Sequence, residues 1–295
     1  MFNYFKMKDR SYAKEPNSWI NWFKHLSAEF FGTIWISFGL AGLSILINNK
    51  SVESFMIHNL IVAFYAGFIV VGIALLVFLR WSCDLNPAVT LYRMINGLNT
   101  CIYGLAKIAI QMIAGILTGL IIYWIGKNTN NNDAANLSIS ALAVSNKDFI
   151  ESNSIAAGGA WIFFGEMVMT SILLFPIFSP NLKDKTRDIL IMFIISLSVL
   201  FGLLLGSAAI NPARGLAQQV PDLFFGLKNG SCAFKYVKDI QDAKIDLIVA
   251  TLAMLFGSSL SAVFYALVQG ILENYINPFV TKIIAYKNFK IDQLK

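Results

Sequence analysis

Six stretches of this sequence are long and apolar enough to cross a lipid bilayer, and they restrict the fold more than any other feature. A spanning helix needs about 20 mostly apolar residues. The stretches are Ala28–Ile47, Leu60–Leu79, Cys101–Ile125, Gly159–Ser179, Ile189–Ile210 and Ile245–Gly270. Only 14% of the 295 residues are charged, whereas a soluble domain carries about 25%. The sequence therefore predicts an all-α protein that buries its apolar surface in lipid.

The charged residues indicate an orientation and exclude several functions. Most of the 23 Lys and Arg residues fall on one side of the membrane when both termini are cytoplasmic, as the positive-inside rule requires. We therefore expect a multi-pass cell-membrane protein with cytoplasmic tails, residues 1–27 and 271–295. The net charge of +6 is too dispersed for nucleic-acid binding. Cys83, Cys101 and Cys232 match no disulfide or metal spacing, so we expect no metal, no cofactor and no enzyme.

One order of motifs occurs twice along the chain. Asn86-Pro87-Ala88 recurs as Asn211-Pro212-Ala213, and the first span of each half carries Glu-x-x-x-Thr, beginning at Glu29 and Glu166. Three spans per half make the second repeat enter the membrane from the opposite side. We therefore predict two inverted repeats, 28–125 and 159–270, within one domain of residues 28–270. In that architecture transport sites form between the repeats near the membrane midplane.

Each Asn-Pro-Ala motif predicts the start of a short helix. Proline is favoured at the first helical position and asparagine is a good cap before it. The first half-helix should run from Pro87 to Ile95, with Gly97 as its stop, and the second from Pro212 to Gln219. Irregular backbone at membrane depth is tolerated only inside protein or along a wet cavity. The residues expected to line a pore with their carbonyls are Cys83, Asp84, Leu85, Ser207, Ala209 and Ile210.

Inversion makes the two half-helices meet at their N-termini. Each end carries about half a positive charge, which repels cations, and the Asn86 and Asn211 amides donate hydrogen bonds to a passing oxygen. Arg214 adds a costly charge at membrane depth and is by default functional, although pairing with a headgroup or with Asp222 is an alternative. These features favour neutral solutes over ions and protons.

Two acidic residues lie inside apolar helices. Glu29 and Glu166 could relay protons in a coupled transporter, but a matched pair fits scaffolding better: we expect their oxygens to accept backbone N–H groups of the half-helix loops. Gln111 should bond to one of these loops. A non-conducting scaffold would fit loss of either asparagine or of Arg214, and all three are present.

The chain resembles the major intrinsic proteins, the aquaporins and glycerol facilitators, from about Ala28 to Gly270. The resemblance is carried by Ala28-Glu29-Phe30-Phe31-Gly32-Thr33, Asn86-Pro87-Ala88-Val89-Thr90, Gln111 ahead of Ala114-Gly115, Glu166-Met167-Val168-Met169-Thr170 and Asn211-Pro212-Ala213-Arg214. It implies a bundle of six transmembrane helices with two half-helices, one pore per subunit and a homotetramer.

The resemblance also implies a selectivity filter of Ala66, Val199, Ala208 and Arg214, with Tyr65 or Ser198 as alternatives at the first two positions. Water-selective relatives have Phe and His there, and glycerol facilitators have aromatic residues at the first and third. A wide, apolar filter favours glycerol-type polyols together with water; a water-selective channel or a broader urea or small-acid channel are the alternatives. Asp84 departs from the family pattern; it could attract cations to the inner mouth, or it could have a structural role in the loop.

Overall fold

The computed structural model describes residues 13–46, 60–128, 138–146, 150–179, 182–207, 209–225 and 240–293, and these form helices joined by short loops. The helices are α1 (Trp19–Leu46), α2 (Leu60–Phe78), α3 (Pro87–Ile95), α4 (Cys101–Asn128), α5 (Ala141–Ser145), α6 (Ile155–Phe178), α7 (Asp184–Leu205), α8 (Pro212–Phe224), α9 (Ile240–Ile271) and α10 (Asn277–Asp292). In this part of the chain the sole β-type pairing is one isolated bridge between Lys14 and Asn99. The predicted all-α class is confirmed.

Several helices have the length and the surface of membrane spans. α2, α4, α6 and the continuous segment Asp242–Ile291 are long and apolar enough to cross a bilayer, and α1 and α7 add helices of 28 and 22 residues. Large apolar side chains face outward, including Leu76 (80% exposed) and Trp124 (66%). Such a surface suits lipid rather than water.

The packing of the helices has a twofold pattern. α1 packs along α4, and the corresponding helices of the second half, α6 and α9, pack along each other. Each half-helix reaches across to the other half: α8 packs on α4, and α3 packs on α9. This exchange is what two inverted repeats require, and it encloses both half-helices within the bundle.

Glycines allow the closest of these approaches. A side chain at Gly115 on α4 would overlap the carbonyl oxygen of Ala213 on α8, and one at Gly257 on α9 would overlap that of Phe163 on α6. Small residues at helix crossings let backbones approach without a side chain between them. The depth at which α8 sits is therefore set by backbone contact with α4.

The structure differs from the sequence prediction at the end of α8 and in the C-terminal tail. α3 begins and ends as predicted, and Gly97 after it has a φ of 71°. α8, in contrast, continues past Gln219 and through Pro221 to Phe224. Pro221 has no backbone N–H and so removes one hydrogen bond from α8. The helix still continues past it, because the Phe225 N–H bonds the Pro221 carbonyl (2.9 Å). The predicted tail is helical as well, because α9 leads through a wider turn, Leu272–Ile276, into α10.

Candidate functional site

Both half-helices begin at a capping asparagine. The Oδ1 atom of Asn86 accepts a hydrogen bond from the Ala88 N–H (2.9 Å). Asn211 Oδ1 accepts from the N–H groups of Ala213 (3.0 Å) and Arg214 (3.2 Å). Both asparagines have extended backbones, as N-cap residues do. The sequence motif thus acts first as a helix cap in each repeat.

The same two side chains tie the repeats together. The Asn86 amide donates from Nδ2 to the Ile210 carbonyl (2.9 Å), and the Asn211 amide donates to the Leu85 carbonyl (2.7 Å). Each asparagine therefore bonds the residue that precedes the other one. An amide nitrogen carries two hydrogens, so one N–H of each remains to serve another acceptor.

The residues before the asparagines have an unusual backbone. Leu85 has a φ of 49° and Ile210 a φ of 46°, a left-handed conformation that costs an ordinary side chain roughly 1–2 kcal/mol. Strained backbone persists where its surroundings over-determine it. Here the reciprocal amide bonds and the carboxylates described next hold both residues.

A buried carboxylate supports each loop. Glu29 accepts hydrogen bonds from the backbone N–H groups of Asp84 (2.9 Å) and Leu85 (2.7 Å) and from the Ser82 hydroxyl. Gln111 on α4 donates to the same carboxylate (2.8 Å) and to the Thr90 hydroxyl (3.1 Å). These contacts stabilise the loop ahead of α3.

The second repeat has the same arrangement. Glu166 accepts from the N–H groups of Ala209 (2.8 Å) and Ile210 (2.7 Å) and from the Ser207 hydroxyl. Each glutamate lies in the first helix of its repeat and bonds the positions immediately before the Asn-Pro-Ala motif. The two loops thus repeat each other bond for bond at the backbone.

The first repeat carries an additional ionic cluster around Asp84. This carboxylate pairs with Lys107 Nζ (2.6 Å) and Arg93 Nε (2.7 Å) and accepts from the Thr90 hydroxyl (3.0 Å). Lys107 also lies 3.1 Å from Glu29. The expectation that Asp84 attracts cations is therefore wrong: its side chain is 3% exposed and both of its oxygens face cations. The sequence analysis did not identify the pairing of Asp84 with Lys107.

A cavity of about 370 Å³ reaches both asparagines from the side of the α6–α7 link. Apolar side chains such as Leu40, Val71 and Ile195 form most of its wall. Of the predicted carbonyl positions, those that line it are Cys83, Asp84, Leu85, Ala209 and Ile210. Its other end carries charges, namely Arg93, Asp184, Arg187 and Asp188. The Ser207 hydroxyl bonds Glu166, and Ser207 stays a predicted carbonyl position.

The predicted filter residues that the structure describes, Ala66, Val199 and Arg214, are buried. Ala66 and Val199 are buried in the apolar cluster that also contains Leu85 and Ile210. Tyr65 packs against that cluster, and Ser198 is buried. Ala208 lies outside the described residues. The cavity wall, as far as the structure describes it, does not include Ala66, Val199 or Arg214.

Arg214 is buried in the first turn of α8, near enough to Glu166 for the two charges to attract. The alternative partner named from sequence, Asp222, instead accepts a hydrogen bond from the Ser138 hydroxyl. Arg214 therefore lies at the α8 N-terminus, beside the charged groups of the second repeat.

Sequence reasoning missed the contacts that hold the segment 138–146 over α8. Gln219 bonds both the N–H (2.6 Å) and the carbonyl (3.1 Å) of Ile139. Asp246 accepts from the Ser140 hydroxyl (2.6 Å) and the Leu142 N–H (2.7 Å). The sequence did contain a signal for these contacts. Asp246 is a carboxylate near the start of an apolar helix, and it has no basic partner at helical spacing.

The comparisons with known proteins agree with this geometry. The family model described as major intrinsic protein matches residues 16–225. Among solved structures, the X-ray structure of the aquaglyceroporin from Plasmodium falciparum is similar in fold, with a TM-score of 0.58 at 18% sequence identity. The similarity covers 88% of this chain and 99% of that one. No curated protein matches the sequence significantly.

Proposed function

The chain belongs to the major intrinsic protein family, and we propose that it is a passive channel for glycerol-type polyols and water that excludes ions and protons. The observation that carries the proposal is the pair of half-helix N-termini held against each other by Asn86 and Asn211. Two positive helix ends repel cations. The remaining amide N–H groups offer hydrogen bonds to a hydroxyl oxygen that passes between them.

The composition of the cavity wall supports polyols as substrates. A polyol has a carbon chain on one side and hydroxyl groups on the other, so it needs apolar contacts and a line of polar partners. The cavity supplies both: side chains such as Ile36, Val71 and Ile191 on its wall, and the loop residues Cys83 to Asn86 along it. A wide filter of Ala66, Val199, Ala208 and Arg214 fits this substrate class.

One observation favours a second candidate, a water-selective channel. Tyr65 precedes Ala66 and packs against the cluster that contains Val199. In α2 these residues lie in a segment of wider helical turns, Tyr65–Val71. If that segment turns the Tyr65 ring into the path, the filter narrows to the width of a water molecule.

The surroundings of the channel form part of the proposal. We infer a homotetramer in the cell membrane with one pore per subunit and both tails in the cytoplasm.

The carboxylates within the spans accept several hydrogen bonds each from loop atoms. This use of Glu29 and Glu166 supports a passive channel over a proton-coupled transporter.

The test is stopped-flow light scattering of liposomes that contain the purified protein, with empty liposomes as control. After a glycerol jump we expect rapid shrinkage and rapid re-swelling, with a low activation energy for both. After a sucrose jump we expect shrinkage alone. Shrinkage without re-swelling in glycerol would identify a water channel, and behaviour equal to that of empty liposomes would contradict the channel itself.

A further inference from the structure

The two repeats match at their asparagines and glutamates but differ in where they carry charge. In the second repeat, the residue that corresponds to Asp84 is Ala209. In the first repeat, Asp84 recruits Arg93 and Lys107, which come from α3 and α4. A buried ionic cluster is seldom retained for stability alone, since well-packed apolar residues are often as stable. The ionic cluster of the first repeat therefore points to a role other than stability, at the end of the cavity that Arg93 lines.

Arg93 lines the cavity and is the most exposed member of the cluster. Its side chain is 34% exposed, while those of Asp84 and Lys107 are each 3% exposed. Its guanidinium carbon also lies over the Phe178 ring, 5.2 Å from the ring centroid. An ion pair at one edge and an aromatic ring at one face restrict the orientation of the guanidinium plane.

The orientation leaves donors for an occupant of the cavity. Guanidinium carries five N–H groups, and Asp84 takes the one on Nε. Within the described part of the chain, the Arg93 side chain forms hydrogen bonds through Nε alone. The Nη groups are thus the donors that Arg93 can offer to an oxygen atom in the cavity that it lines.

Arg93 also lies at a useful depth. It follows Asn86 by two turns of α3, or about 10 Å along the helix axis. Polar donors therefore occur at both ends of the apolar-walled cavity, at the asparagines and at Arg93. A solute that leaves the asparagines meets a second set of donors before it reaches the inner mouth.

We propose that Arg93, oriented by Asp84 and Phe178, is a second selectivity station that binds the hydroxyl oxygens of a polyol at the inner end of the pore. This inference rests on the proposed function and deepens it by adding a specificity-determining residue. Lys107 keeps the Asp84 charge compensated, so the station presents N–H donors and no exposed carboxylate.

The first measurement is the glycerol concentration that half-saturates the flux into liposomes. Arg93→Leu keeps an apolar stem against Phe178 and removes the donors. Since a hydrogen bond to a charged donor contributes about 1.5–3 kcal/mol, we expect the half-saturating concentration to rise about tenfold or more. The matched control is Arg80→Leu, because Arg80 also stacks on an aromatic ring, Trp81, at 5.2 Å but is absent from the cavity wall.

The second measurement does not depend on transport. Cys83 lines the same cavity and is a free thiol, so its rate of reaction with a methanethiosulfonate reagent reports occupancy of the cavity. In a background with Cys101 and Cys232 changed to serine, glycerol should slow the reaction at Cys83 several-fold. Arg93→Leu should abolish that protection, and Arg93→Lys, a second variant that keeps the charge, should restore part of it.

The two measurements separate this inference from the proposed function. A folded Arg93→Leu protein with unchanged half-saturation and unchanged protection of Cys83 would overturn the inference while leaving the polyol channel standing. If the unaltered protein conducts no glycerol, the proposed function fails. The station then survives only if glycerol still protects Cys83 in an Arg93-dependent way, and absence of protection overturns it too.

Discussion

Glu29 and Glu166 are buried acidic residues whose oxygens are occupied by loop donors. Each carboxylate accepts two backbone N–H groups and a serine hydroxyl. In a membrane an unsatisfied backbone donor costs several kcal/mol. A carboxylate suits this task because both oxygens accept and neither donates. A neutral glutamine amide in the same place would turn its NH₂ donors towards the N–H donors of the loop.

This reasoning predicts the effect of Glu166→Gln. The new amide has one accepting oxygen, so its NH₂ group must face the N–H of either Ala209 or Ile210. We expect a loss of stability of about 3 kcal/mol, measured as a lower thermal midpoint in detergent, with a parallel fall in flux. The control is Glu273→Gln, where an exposed carboxylate bonds only Gln269 in the described structure. Equal midpoints for the two variants would contradict a supporting role for Glu166.

Asp84 offers a second test at this scale. Asp84→Asn leaves Lys107 and Arg93 without their shared counter-charge, and breaking a buried pair costs about 3–5 kcal/mol. Adding Lys107→Met removes a buried cation that has lost one of its two carboxylate partners, so we expect the double variant to recover part of the loss. Chemical or thermal unfolding of the four proteins in the mutant cycle gives the coupling. Independent, additive effects would contradict the pairing.

Individual residues were predictable from sequence to the extent that their partners are local. The capping role of Asn86 and Asn211 follows from the proline beside each. The pairing of Asp84 with Lys107 does not, because the partners come from α3's leading loop and from α4, and no periodicity links them. The positive φ of Leu85 and Ile210 was equally hidden, since neither position is a glycine. Long-range contacts impose both features.

Among the helices, α8 is the half-helix whose position depends most on backbone contact. Gly115 and Gly119 on α4 approach the carbonyl oxygens of Ala213 and Ala217 on α8. Because these oxygens belong to a helix, they cannot move without moving the Asn-Pro-Ala motif. These small residues therefore also set where the motif lies.

We predict that Gly115→Ala displaces α8. The added methyl group would overlap the Ala213 carbonyl, and overpacking of this kind costs about 1–3 kcal/mol. Flux should fall further than stability, because a shift of α8 moves Asn211 away from Leu85. The matched control is Gly165→Ala on α6, where an added methyl group meets no atom within 4 Å. Wild-type flux in Gly115→Ala, measured in liposomes, would show that α8 tolerates the shift.

Helix existence was easier to predict than helix length. The six spans follow from runs of apolar residues, and both half-helices follow from their caps. The predicted end of α8 at Gln219 was wrong, because the helix continues through Pro221 to Phe224. A proline in this position removes a single backbone hydrogen bond. The segment after Ile276 was predicted only as a tail, whereas the structure has α10 from Asn277 to Asp292, which carries apolar residues such as Phe279 and Ile283.

The whole molecule has two equivalent halves whose charges differ. The asparagines and glutamates obey the twofold relation, which places two positive helix ends against each other at the centre. Arg214 lies in the first turn of α8 and Arg93 in the last turn of α3. Arg214 therefore lies beside the paired half-helix N-termini, and Arg93 lies about two turns of α3 away from Asn86, so the two guanidinium groups cannot substitute for each other. Exclusion of cations should depend on the whole arrangement rather than on a single residue.

Arg214→Val tests this view of the molecule. The change removes a buried charge next to the α8 N-terminus and leaves the helix ends and the asparagines in place. We expect polyol and water flux to remain and proton or cation leakage to rise several-fold, since one of the positive barriers is lost while the other persists. A pH-sensitive dye inside the liposomes, with an imposed potential, measures the leak. Unchanged solute rates and unchanged selectivity in a folded protein would remove Arg214 from the path and assign its charge to support of Glu166.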